Sequence, residues 1–466
     1  MPEPLRRDST FHRRTYIVTF QNAQDWLAEH PEVNAIIIGL CDINGVLRGK
    51  RVPLSQLDKL LSGGMRMPQS ACTVDIWGHD IEASELVFES GDGDGVCNVT
   101  ERGIIGQSED ENASAMFQVM LTLEDGTPMA TDPRQALVKV VKRLKNKGLT
   151  AVVATELEFY LTTVTNGVAV PPTLPNALAP TTKGNVLSVA ELASLNAFLD
   201  DVYAACRIQN IPADAAISEG GAGQFEINLL HTADPLKAAD DALLFKNVVK
   251  DTARKHGFCA TFMAKPFGDQ PGNGMHVHFS MLDSDGNNVF DDGTDVGSDT
   301  LRFAVAGLLS AMHESTLLFA PHQNSYRRMR PNSHAPTSAA WGYENRTCAI
   351  RIPGGPNAAR RIEHRVAGAD SNPYLVLAAI LGSALNGIDA QLEPAAPVTG
   401  NAYDADAPSL PLDWLSAIAA FEQGKTMADV LGPQMVRLFA QAKQQELQHF
   451  LSIVPDAEYH TYLETV

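Results

Sequence analysis

The stretch TAVVATELEFYL, residues 150–161, carries Glu156 and Glu158 one residue apart in an otherwise apolar run. In a strand, residues i and i+2 share a face, so the two carboxylates would stand side by side and repel. A solvated outer face would accommodate one such pair. The same spacing recurs with other functional side chains: Gln224, Glu226 and Asn228; His276 and His278; Arg361, Glu363 and Arg365. Glu219 precedes Glu226 across the glycine-rich turn EGGAGQFE. Taken singly, each set is better explained as hydrogen-bonded structure or surface. If one sheet lines a cleft, however, five carboxylates and an imidazole converge, and that much negative charge is tolerable only with divalent cations. Oxygen-dominated ligation favours magnesium or manganese, and with no thiolate in the set zinc is the weaker choice. The second half supplies the opposite charge: Arg327, Arg328 and Arg330 in NSYRRMRP, Arg346 and Arg351 in ENRTCAIRIP, then Arg361 and Arg365. Arginine forks bind carboxylate and phosphate bidentately. Metals beside arginines suit phosphoryl transfer, which needs mainly positioning and charge neutralisation; a surface ladder of ion pairs is the competing account. No Walker loop occurs, and GNGMHV does not complete G-x-G-x-x-G, so a nucleotide would need another architecture.

Elements that could position these residues are visible along the chain. From Tyr16 to Met120, strand-like runs such as NAIIIGLCDI and AMFQVMLTL alternate with glycine-rich turns, a pattern of a small α+β unit. TDPRQALVKVVKRLKNKG then predicts a helix with Thr131 or Asp132 as cap, Pro133 in its first turn and Gly148 as its stop, opening a second domain over 131–466. Beyond it lie helical patterns around 190–210, 234–257 and 372–388, with strand-like pieces between them, which suggests an antiparallel sheet backed by helices. Acidic residues outnumber basic ones 55 to 36, a formal net charge of −19, which disfavours nucleic acid and anionic membrane as partners. No uninterrupted apolar run reaches spanning length; the best candidate, LRFAVAGLLSAMHESTLLFA, is broken by Arg302, His313 and Glu314 and reads as a core helix. The N-terminus MPEPLRRDSTFHRRTY lacks the apolar core of a secretory signal, and the 6 cysteines form no C-x-x-C pair, so a reducing, cytoplasmic setting with small buried thiols is expected.

TELEF, EGGAGQFE, KPFGDQPGNGMHVHFS, NSYRRMRP, NRTCAIRIP, ARRIEHR and NPY follow one another in the order and approximate spacing of the glutamine synthetase family, which residues 155–374 closely resemble. The preceding segment is similar, more loosely, to that family's small β-grasp domain. The resemblance implies an α+β protein with a β-grasp domain over 16–120 and a catalytic domain over 131–466, whose antiparallel sheet forms a funnel holding two metals. It implies one metal, Mg2+ or Mn2+, on Glu158, Glu219 and Glu226 and another on Glu156, His276 and Glu363. ATP phosphates would meet Arg351 and Arg361, with His278 and Ser280 near the nucleotide. L-glutamate would be held through Gly272, Arg328, Arg346 and Arg365. The implied chemistry is transfer of the ATP γ-phosphate to the glutamate side chain, then attack by an amine on γ-glutamyl phosphate. Stacked rings, usually dodecamers whose sites borrow the neighbour's N-terminal domain, are implied as well.

Two departures bear on the amine. Ammonia-using members carry a flap resembling G-Y-E-A-P, whose glutamate helps bind ammonium and remove its proton; the matching residues here are NSHAP, with His334 in that place. Their other ammonium ligand sits in an F-D-G-S-like stretch, and GGMRMPQSACTVDIWG has none, Asp75 being the nearest acid. Without both anions an ammonium ion lacks the compact negative cage that its desolvation requires. The pattern, with WGYENRT, resembles the branch that γ-glutamylates putrescine and other polyamines, with His334 beside Arg328 and Arg346 in the catalytic set. An amine with a carbon chain gains from apolar contacts, for which Trp77 and Trp341 are candidates. Ammonia-using glutamine synthetase with relocated ligands and a non-catalytic scaffold are the alternatives. NAYDADAP places Tyr403 near the position that some relatives adenylylate, in different flanks.

Overall fold

The computed structural model describes residues 20–87, 89–107, 113–175, 177–179 and 181–466; the N-terminal stretch quoted above, with the expected domain start at Tyr16, lies outside the described residues. Strands β1 (Ala35–Cys41), β2 (Leu47–Pro53), β3 (Arg66–Pro68), β4 (Asp94–Gly106) and β5 (Ser114–Thr122) form a first sheet in the order β2-β1-β5-β4-β3. β1 and β5 run parallel and the other neighbours antiparallel. The alternation of β5 divides its side chains between two cores: Ala115, Phe117, Val119 and Leu121 pack within this unit, while Met116 joins the larger core behind it.

Helix Pro133–Asn146 follows, and Asp132 rather than Thr131 is its cap, accepting from the N–H groups of Arg134 (2.9 Å) and Gln135 (3.4 Å) and also of Leu121 at the end of β5 (3.0 Å). The second sheet has nine strands: β6 (Thr150–Thr165), β7 (Val168–Val170), β8 (Ala213–Ser218), β9 (Gln224–Thr232), β10 (Cys259–Thr261), β11 (Met275–Leu282), β12 (Trp341–Tyr343), β13 (Ile350–Ile352) and β14 (Ile362–His364). Its main path is β12-β13-β14-β11-β6-β9-β8, with β7 and β10 also pairing with β6. The expected antiparallel arrangement holds except for β12 and β13, which are parallel. The chain between them is folded into a tight turn on Asn345, whose side chain accepts from Thr347 N–H (3.0 Å), so Ile350 re-enters beside Ala340 (N–H to O, 3.1 Å).

One face of this sheet is core. Val153, Leu157 and Phe159 of β6, Phe225 and Ile227 of β9, Val277 and Phe279 of β11 and Ile362 of β14 are buried in the cluster that contains the helices Pro235–Lys255, Asp299–Phe319 and Pro373–Ala390. Helix Pro373–Ala390 is long and apolar enough to cross a membrane by length and composition, yet 78% of that stretch is buried in this core. Helix Asp299–Phe319, which holds the apolar run singled out above, is likewise a core helix. Five cysteines are buried as expected; Cys259 is exposed, because it begins the short strand β10, which pairs only with β6.

The two sheets are joined by polar contacts. Asn372 donates to the carbonyls of Asp42 (2.9 Å) and Ile43 (3.3 Å), and Gln118 of β5 donates to Tyr374 Oη, which in turn donates to Asp240 (2.6 Å), the carboxylate onto which Arg134 forks (3.0 and 3.1 Å).

Candidate active site

With the even-numbered face of β6 turned away from the core, the register decides which functional groups meet. His276 and Asn228 both lie opposite Glu156, Glu226 lies opposite Glu158, and Glu363 sits between His278 and Arg351. The two neighbouring glutamates therefore find separate partners. Glu156 takes both imidazoles, with His276 Nδ1 at 3.2 Å and His278 Nε2 at 2.9 Å. Glu158 accepts the Gly274 N–H at 2.6 Å. Glu363, almost fully buried, accepts from Arg351 Nη1 at 2.7 Å and from Arg365. Arg361 Nε–H donates to His278 Nδ1 at 3.3 Å, which leaves His278 Nε2–H to face Glu156.

The charge is unevenly compensated. Burial would raise Glu156, but its hydrogen bonds to His276 and His278 hold it well below the usual carboxylate range. Burial is likewise outweighed at Glu363, where Arg365 and the histidines pull the carboxyl down to about 2. On the other side of β6 the balance reverses: burial and the Glu158 charge push Glu219 up to about 7, and burial and the Glu156 charge push Glu226 up to about 9. Carboxylates that disfavour one another's ionisation in a buried cleft are what a divalent cation relieves. Donor atoms of Glu156, Glu226 and His276 lie within 4.8 Å of one another, as do those of Glu156, His278 and Glu363. The buried Asn228 Oδ1 has no hydrogen-bond partner. Hard oxygen donors with one imidazole per group fit magnesium or manganese. The structure thus brings Glu156, Glu226 and His276 into one group and Glu156, His278 and Glu363 into a second that overlaps it, so Glu226 clusters with Glu156 and His276, and His278, expected near the nucleotide, joins Glu363; Glu158 on β6 and Glu219 before β9 act on the first group through their charge.

The arginines sort by burial. Arg327 and Arg330 are exposed, whereas Arg328 is buried and donates through Nη1 to Val366 O at 2.7 Å. Its side chain passes so close to the loop before β11 that glycine is required there: a Cβ on Gly272 would stand 2.6 Å from Ala264 O and 2.7 Å from Arg328 Cγ. Gln224, on the strand face shared with Glu226, proves to hold this loop, donating to Gly272 O and Asn273 Oδ1, both at 3.0 Å. Ser280 shares the face of His276 and His278 further along β11. Arg346 is exposed and lines a cleft of about 490 Å³ with Tyr343, Glu344 and Val398.

Nothing in the i, i+2 spacing points to Glu344, yet it accepts from Arg351 Nη2 (3.4 Å) and from Gly354 N–H, placing a second carboxylate on the arginine that holds Glu363. The available signal was an acid alone in a cation-rich stretch. Trp341 does not line an entrance: it is 3% exposed and donates to Ala395 O at 2.7 Å, in the core beneath β12. Trp77 packs instead on His449 and Phe450 of helix Pro433–Ser452.

Asn332 and His334 in the NSHAP loop both have φ of +61°, a left-handed conformation that costs a side-chain-bearing residue about 1–2 kcal/mol. His334 is exposed at the tip, while Ser333 Oγ hydrogen-bonds back to Arg328 O (2.8 Å) and Arg330 O (2.6 Å).

A sheet with a row of carboxylates and imidazoles on its open face, with Arg351, Arg361 and Arg365 beside them, defines the class: a site built for divalent cations and anionic substrates. Residues 130–462 match the family model of the glutamine synthetase catalytic domain, and the chain belongs to the glutamine synthetase family. It is 37% identical to gamma-glutamylputrescine synthetase of Escherichia coli K12, over 95% of this chain and 94% of the relative. It is 32% identical to glutamate–isopropylamine ligase of a Pseudomonas species, over 95% and 97%. The fold is shared with a solved GmaS–ADP complex at a TM-score of 0.83 and 27% identity, over 94% of this chain and 99% of that one.

Proposed function

We propose that the protein joins the γ-carboxyl of L-glutamate to an organic amine, a polyamine such as putrescine first among them, with ATP as the phosphoryl donor. The observation that carries the choice of amine is the flap: its tip offers the imidazole of His334 and no carboxylate. Asp75, the nearest acid in the region of the second ammonium ligand, is buried and committed to the N–H groups of Trp77 (3.0 Å) and His79 (2.8 Å) and to Gln445 (3.0 Å). Relatives named for putrescine and isopropylamine support the same reading.

In this mechanism Arg328, Arg346 and Arg365, with the backbone at Gly272, orient glutamate so that a γ-carboxylate oxygen attacks the γ-phosphorus of ATP and ADP leaves. Arg351 and Arg361 face the phosphates, and His278 and Ser280 the nucleotide. Glu156, Glu158, Glu219, Glu226, His276 and Glu363 would hold two Mg2+ or Mn2+ ions, which neutralise phosphate charge when bound. The amine nitrogen then attacks the acyl carbon of γ-glutamyl phosphate, inorganic phosphate leaves, and His334, whose imidazole offers a nitrogen lone pair, accepts the amine proton.

The same reading includes a two-domain chain, 16–120 and 131–466, in the cytoplasm, and stacked rings of identical subunits, as a dodecamer. Ile453, Val454, Tyr459, Tyr462 and Leu463 are all half-exposed or more near the C-terminus, an apolar surface of the kind subunit contacts cover.

The test is an amine panel with phosphate release as readout, at saturating ATP and glutamate. Putrescine or another polyamine should be used with a higher kcat/KM than ammonia. Efficient glutamine formation with no turnover of any organic amine would overturn the proposal.

A further inference from the structure

The flap is strained at Asn332 and His334, and strained loops persist only where their surroundings over-determine them. What does so here is the segment 393–410, which runs beside it. Ala339 N–H donates to Pro408 O (2.8 Å), Leu410 N–H to Thr337 O (2.9 Å), and Ser338 bridges to Ser409. These contacts brace the leg of the flap. Tyr403 reaches the tip: its phenol donates to Ala335 O at 2.9 Å, immediately after His334. Tyr403 is half-buried in the middle of the short 3-10 turn Ala402–Asp404, whose capping residue Asn401 accepts its N–H (3.2 Å), so the ring is delivered from a fixed backbone. Burial raises its pKa, against the opposing effects of hydrogen bonding to Ser333 and of the Arg328 and Arg365 charges, which keeps the phenol protonated as a donor.

We infer that Tyr403 is a positioning residue for amine selection: its hydroxyl ties the flap tip over the site and sets where His334 stands relative to the arginines. This rests on the proposed reading that the flap covers the amine. The hydroxyl meets the flap at Ala335 O and touches none of the strands that hold the carboxylates, so losing it should free the tip without disturbing them.

Tyr403→Phe removes only that hydroxyl. In the full-length protein its expected effect is a rise of about fivefold in KM for the preferred amine, the change that one hydrogen bond's net contribution gives. KM for ATP should stay within about twofold, since the phosphate-facing arginines lie on β13 and beside β14. Hydrogen exchange over residues 332–337 should quicken while exchange in β6 and β11 stays at its wild-type rate. Unchanged exchange at the flap in Tyr403→Phe would overturn the inference whatever the nucleophile, and so would a loss shared equally among ATP, glutamate and amine. If wild type proved to use ammonia alone, the proposed function would fall, and Tyr403 would then be judged by the same exchange measurement and by KM for ammonia.

Discussion

Glu363 carries the sharpest expectation among single residues, because one buried carboxylate accepts from two arginines and faces His278 across the ladder. Glu363→Ala should lower phosphate release by more than ~100-fold with the fold intact, as should Glu158→Ala; near-normal turnover at ordinary magnesium concentration would sink the proposed two-metal assignment. Gly272→Ala tests a different kind of constraint. A methyl 2.6 Å from a carbonyl oxygen must displace either the loop or Arg328, at a cost of ~1–3 kcal/mol. Glutamate saturation should weaken while ATP binding holds, and an unchanged glutamate KM would separate Arg328 from that ligand. At the flap, His334→Glu should move the ratio of catalytic efficiencies, diamine over ammonia, by roughly tenfold toward ammonia. A ratio that stays put would keep the function and remove His334 from its explanation. Gly272 and His334 were found only through the motifs that resemble the glutamine synthetase family, whereas Glu363 and Glu158 were legible because charged side chains at strand spacing are conspicuous in an apolar context. Glu344 and Tyr403 were not, since each acts through a loop contact that no spacing rule encodes.

Among the elements, β6 was legible at once from its alternation, and helix Pro133–Asn146 from its cap and proline. The parallel pairing of β12 with β13 was hidden, because three-residue strands carry no period and their direction depends on the turn at Asn345. Asp132 illustrates a cap with a second duty: the carboxylate that closes the helix also receives the Leu121 N–H, tying the end of the first sheet to the start of the second unit. Asp132→Ala should therefore cost more than an ordinary cap, roughly 2–3 kcal/mol in thermal or denaturant unfolding. A loss of only a few tenths would show that water serves the Leu121 N–H equally well.

The molecule as a whole is acidic, yet it buries a lysine on the core helix Pro235–Lys255. Lys246 donates to Ser371 O at 2.8 Å, and burial brings its pKa down to about 7. Unfolded, the same group titrates near 10.4, so between about pH 7 and pH 10 the unfolded chain binds a proton that the folded one does not. This term makes stability rise with pH across that window; below it both states are charged and the term is flat. Lys246→Met should flatten the rise, and an unaltered stability profile would show that the amine stays charged in the fold. The sequence offered no hint of this, because which face of the helix Pro235–Lys255 is covered depends on tertiary packing that its spacing does not encode.

The strict alternation of β6 has a consequence for how such a chain can vary. Deleting one residue from the strand would turn Leu157 and Phe159 toward the open face and send carboxylates into a core of phenylalanine and isoleucine. Catalytic failure and misfolding would there be one event, so a library screened for nothing but soluble expression should already be purged of insertions and deletions within residues 151–160. The loop around His334 has no such double bookkeeping. Length changes there should survive the same screen, and new amine preferences can be sought in that loop without first repairing the fold.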